Sequence, residues 1–155
     1  MDIEALLKQY AEGPALLRRE VAGMTDAQMR ARPIPGKWST LELICHLADC
    51  EGLYAERMRR VIADDEPALP AMDPDGWMAR LAIDRRDAEE ELKLIEAIRA
   101  QMVRVLRAMP AAAFERTGVH SADGRLTLAT LLKRIANHIP HHAKFIAEKR
   151  AAQAS

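Results

Sequence analysis

The chain has 155 residues, enough for one domain spanning 1–155, and 49% of them are hydrophobic, enough for an ordinary core. Lys and Arg total 23, as do Asp and Glu, and aromatics are 4%. That balance directs the protein neither to nucleic acid nor to an anionic membrane, and it leaves little for base stacking. No run approaches the ~20 apolar residues of a membrane span, and the opening MDIEALLKQY has no signal-peptide core. A cytoplasmic protein with reduced Cys45 and Cys50 is the expectation.

Helical periodicity dominates, and strand patterning is almost absent. The first helix is predicted from Ile3 to Ala22, with Leu6, Leu7, Tyr10, Leu17 and Val21 on its apolar side and a kink at Gly13-Pro14. Pro33, Pro35 and Gly36 keep the next segment irregular. Ser39 and Glu42 form an S-x-x-E capping box that starts a second helix, reaching Ile62. ADDEPALPAMDPDG breaks it, and Trp77 falls on a short turn or at the beginning of the next helix. Asp84 is the candidate cap of a third helix that runs through Leu92, Ile95, Ile98, Met102, Val105 and Leu106 to Met109, where Pro110 stops it. A loop with His120 and Gly124 leads to Thr127, the cap of a fourth helix ending near Lys149. Four such helices point to an all-α four-helix bundle, with up-down-up-down connectivity the simplest winding.

The fourth helix carries NHIPHHAKFI, which holds three of the five histidines. At ~100° per residue, Leu131, Ile135, His138, His142 and Phe145 share one stripe of about 80°. His138 and His142 therefore face the core, with His141 at the stripe's edge. Their i,i+4 spacing lets two imidazoles reach one metal ion. On the second helix His46 shares a face with Leu43, Cys50, Leu53 and Arg57. Buried imidazoles need partners. Either one divalent cation serves all three, or each ring finds its own hydrogen bond. Pro140 cannot bond the carbonyl of Ala136, so the helix bends there or a new one begins.

PIPGKWSTLELICHLADCE, followed by Tyr54 and Arg57, resembles the second-helix signature of the DinB-like superfamily, and of its DinB_2 branch in particular. LTLATLLKRIANHIPHHAKFI is similar to its closing H-x-x-x-H helix, and YAEGPALLRREVAGMTDAQMRARP to its opening. The resemblance implies an up-down-up-down bundle, often a homodimer, in which His46, His138 and His142 hold a divalent ion, zinc or nickel. It places His141 in the variable position beside the last ligand, and it counts thiol transferases and an isomerase among relatives. Three ligands leave a coordination position free, as in catalytic sites. Glu42 and Asp49 are the candidates to orient His46 from behind. Cys50 reads as a small buried cysteine, Trp38 as a packing anchor, and Arg57 as the partner of an acid such as Glu56 or of an anionic ligand.

The expected function is a metal-dependent enzyme, of thiol transferase or hydrolase type, acting on a small molecule, with a low-molecular-weight thiol as a candidate cofactor. The alternatives are a non-catalytic metal- or ligand-binding bundle, stress-related in role, and a homodimeric interaction module with ordinary core histidines.

Overall fold

The computed structural model describes residues 2–154. In chain order the helices are α1 (Ile3–Val21), α2 (Asp26–Arg30), α3 (Thr40–Ala63), α4 (Pro74–Arg80), α5 (Ala88–Arg107) and α6 (Leu128–Ala154). The four long ones, α1, α3, α5 and α6, form the expected four-helix bundle. Their starts are set by local chemistry. Asp2 accepts from the Ala5 amide at 3.0 Å, and Ser39 and Glu42 exchange the capping-box bonds at 3.1 and 2.6 Å. Thr127 Oγ1 accepts from the Thr130 amide at 3.0 Å. Each such cap satisfies amides that the first turn leaves orphaned. α5 starts later than its sequence suggests: residues 83–85 form a 3₁₀ turn, and Asp87, not Asp84, caps the helix through the Glu90 amide.

Two apolar clusters make the core, one around Tyr10, Met58, Met102 and Leu131, the other around Leu17, Ile44, Ile95 and Ile146. Each long helix passes from one cluster to the other. α1 and α6 run from the first to the second, whereas α3 and α5 run from the second to the first. The winding is therefore up, down, down, up, where the sequence suggested simple alternation. α1 lies against α5 and α6, and so does α3. Parallel neighbours need a connection as long as the helix. α3 has 24 residues, roughly 36 Å at 1.5 Å each, and segment 64–87 is long enough to return along it.

A small sheet closes one end, formed by β1 (Ala68–Leu69), β2 (Thr117–His120) and β3 (Gly124–Thr127). β1 pairs with β2 in parallel, Ala68 opposite Val119, and β2 with β3 in antiparallel, His120 opposite Gly124. The sequence had suggested loop here. Strands of two to four residues are too short to display an alternating pattern.

Between the apolar clusters sits a buried polar knot. Arg99 and Glu51, 1% and 0% exposed, form an ion pair, and Tyr10 donates its hydroxyl to Glu51 at 3.1 Å. Burial pushes the Glu51 carboxyl upward, against the opposing pull of Arg99. Arg99 also donates to the carbonyls of Tyr10 (2.7 Å) and Ile135 (3.0 Å). The Tyr10 carbonyl is the one that Pro14, lacking an amide hydrogen, leaves unpaired inside α1. α6 repeats the arrangement. Pro140 stands inside a continuous helix, with no new helix beginning there, and the released Ala136 carbonyl accepts from Gln9 Nε2 at 3.3 Å.

Candidate metal centre

α3 and α6 run antiparallel, which brings residue 46 level with residues 138 and 142. His138 Nε2 lies 3.2 Å from Nε2 of His46 and 3.1 Å from Nε2 of His142. The His46 and His142 ring centroids are 5.1 Å apart. Cys50, one turn along α3, places its Sγ 3.7 Å from His46 Nε2, and donor atoms of His46, Cys50 and His138 all fall within 4.8 Å of one another. His141 points away; it is exposed and packs edge-on against His142 and Phe145.

The central nitrogen makes two contacts but has one hydrogen-bonding direction. A neutral imidazole nitrogen carries either a proton or a lone pair, so His138 Nε2 can complete one good N–H···N bond and not two. The surroundings keep the rings neutral. Burial, helped by His142 and His46, pushes His138 down to about 3. Burial likewise pushes His142 down to about 4, with His46 and His141 adding to it. His46 is lowered by burial, against the pull of Asp49.

The backing expected from carboxylates is not formed. Glu42 is bound by Arg32 and by the Ser39 amide, which holds the loop before α3. Asp49 takes both terminal nitrogens of Arg86 at 2.9 Å, which ties α3 to the start of α5. Nδ1 of His138 and of His142 is buried with no hydrogen-bond partner among the described residues. Trp38 packs on His46, with ring centroids 5.2 Å apart, as its anchoring role required. Arg57 does not pair with Glu56, which binds Arg60; its Nη2 donates to the Pro70 carbonyl instead.

Two hollows meet at the histidines. His46 and His138 open on a cavity of about 430 Å³ that continues past Tyr54 and Arg57 to His120 on β2. His142 opens on the other side, into a hollow of about 390 Å³ beneath Trp38, Phe145 and Lys149. On sequence grounds His120 was a loop residue, as open to a functional role as to a solvated one. The sheet, invisible at that level, is what carries it to the cavity.

The DinB superfamily profile (DinB_2) matches residues 9–146. The chain belongs to the DinB superfamily. YfiT from Bacillus subtilis, described as a candidate metal-dependent hydrolase with an unusual four-helix bundle topology, superposes with a TM-score of 0.90 at 24% identity, over 97% of this chain and 87% of that one. A protein of Oceanobacillus iheyensis, named as a candidate metal-dependent hydrolase, is 24% identical over 145 residues, 94% of this chain and 83% of its own. The mycothiol-dependent maleylpyruvate isomerase superposes with a TM-score of 0.74 at 15% identity, over 93% of this chain and 60% of that one. At these identities the solved structures establish the shared fold. No described helix is long and apolar enough to cross a membrane.

Proposed function

We propose that the chain is a metal-dependent enzyme of the DinB superfamily, with His46, His138 and His142 holding one divalent ion through their Nε2 atoms. The observation that carries this reading is the double contact of His138 Nε2, at 3.2 and 3.1 Å, which hydrogen bonding cannot satisfy and a shared cation can. Two imidazole nitrogens bound at ~2.0–2.1 Å to one ion stand roughly 3 Å apart, a spacing that the two His138 contacts match. Neutral rings suit the role, since a protonated imidazole has no lone pair to give.

When bound, such an ion supplies Lewis acidity to a small molecule in its remaining coordination positions. The chain's own contribution is the cavity. Its floor is the face of α3 that carries His46, Cys50, Tyr54 and Arg57, and its roof is the sheet end. That shape orients a substrate along the helix with one end at the histidines, which supports catalysis over purely structural binding. The candidate hydrolases and the thiol-dependent isomerase among the relatives support hydrolysis or thiol-assisted group transfer. Family resemblance adds zinc or nickel as the ion and a homodimer in the cytoplasm as the working unit.

Elemental analysis of untagged protein tests the ligand set. About one zinc or nickel per chain is expected, and His142→Ala should lose most of it. Turnover of thiol and electrophile pairs by the metal-loaded protein tests the activity. Wild type purified without metal, and unable to take up zinc, would end the proposal.

A further inference from the structure

The cavity has a second pole, away from the histidines. Arg57 is 3% exposed, yet it has no carboxylate partner among the described residues. Among the described residues its one hydrogen bond runs from Nη2 to the Pro70 carbonyl and its Nε is buried without a partner, while its guanidinium lies 5.1 Å from the Tyr54 ring centroid. Burying a guanidinium this incompletely satisfied costs free energy unless an anion joins it. The other arginine at the cavity, Arg134, is already neutralised by Asp123.

His120 faces the same space. Its Nδ1 accepts from the amides of Ala122 (3.3 Å) and Asp123 (3.1 Å), which fixes Nδ1 as the lone-pair nitrogen and puts the proton on Nε2. Nε2–H has no partner among the described residues and is left as a donor at the cavity wall.

We infer that this pole binds a carboxylate of the substrate, with Arg57 as the charged partner and His120 Nε2–H as the second donor. Two donors match the two oxygens of a carboxylate. A phosphate dianion would need more positive charge than Arg57 supplies, because Arg134 is already paired with Asp123. Residues 46 and 57 are roughly 16 Å apart along α3 at 1.5 Å per residue. The ligand class is therefore an elongated organic acid, with its carboxylate at Arg57 and its reacting group at the histidines. The reacting end rests on the function proposed above; the carboxylate contact requires no metal.

Calorimetric titration of the full-length protein, both chelator-treated and zinc-loaded, tests this with propionate, succinate, their uncharged amides and inorganic phosphate. The carboxylates are expected to bind both forms and the amides neither. Arg57→Gln should weaken carboxylate binding about tenfold to a hundredfold, the range for losing a charged hydrogen bond. Arg57→Lys should keep part of the affinity. Amides binding as tightly as acids, phosphate binding in preference, or affinity that vanishes with zinc would each overturn the inference. If Arg57→Gln fails to fold, the acid-against-amide comparison in wild type and the lysine variant decide. Protein that takes up no zinc yet binds acids through Arg57 would end the metal reading and leave this one standing.

Discussion

Gly13 makes the room that Arg99 occupies. A Cβ at position 13 would collide with the Arg99 guanidinium and touch its Cζ at 3.0 Å, while Ile139 closes the other side at 3.4 Å. Gly13→Ala should therefore destabilise, although alanine is the better helix former. Overpacking of this kind costs about 1–3 kcal/mol. Urea denaturation checks it, and an unchanged midpoint would mean that Arg99 has freedom to withdraw, which its bonds to Glu51, Tyr10 and Ile135 argue against.

Gln9 and Pro140 should be coupled. Gln9 Nε2 donates to the Ala136 carbonyl only because Pro140 has no amide to offer it. Gln9→Ala should cost about 0.5–1.5 kcal/mol in wild type, the worth of an ordinary hydrogen bond. In a Pro140→Ala background the restored backbone bond takes over, and the same change should cost less. A double-mutant cycle with no interaction energy would reject the coupling.

The metal-free protein should lose stability as the solution is acidified through the histidine range. His138 and His142 are held at about 3 and about 4, below the ordinary value of ~6.5. Between those limits the unfolded chain binds protons that the folded chain refuses, so unfolding gains as pH falls and stability recovers as pH rises. Urea midpoints from about pH 7.5 to 4.5 should fall more steeply for chelated wild type than for His138→Asn/His142→Asn. Parallel curves would contradict the burial of these rings.

Trp38 should report on the ion. Its ring lies against His46, and Trp77 is the other indole in the chain. In a Trp77→Phe protein, nickel should quench the remaining emission with an end point near one equivalent. His46→Ala should abolish the effect. Quenching that persists in that variant would place the nickel elsewhere.

What could be read in the residues divides by distance along the chain. The Ser39–Glu42 box and the His138–His142 pair are local, so spacing alone discloses them, and the DinB likeness brought His46 to the same place. Arg32 as a partner of Glu42, Arg86 as that of Asp49 and the Pro70 carbonyl as that of Arg57 were not foreseen, because each lies outside α3: Arg32 precedes it, Arg86 follows the long crossover, and Pro70 lies beyond β1. The Arg99–Glu51 pair spans 48 residues and looks in sequence like two ordinary surface charges. His120 reads as a loop residue because its strand is four residues long.

The up, down, down, up winding also bears on how the chain is made. A ribosome releases α1 and α3 first, and neither covers the other; each is covered by α5 and α6. The earliest helices must wait, greasy sides bare, for α5 and then α6 to emerge, so biogenesis here is slow to commit and stays partly exposed to aggregation until the final 27-residue helix arrives.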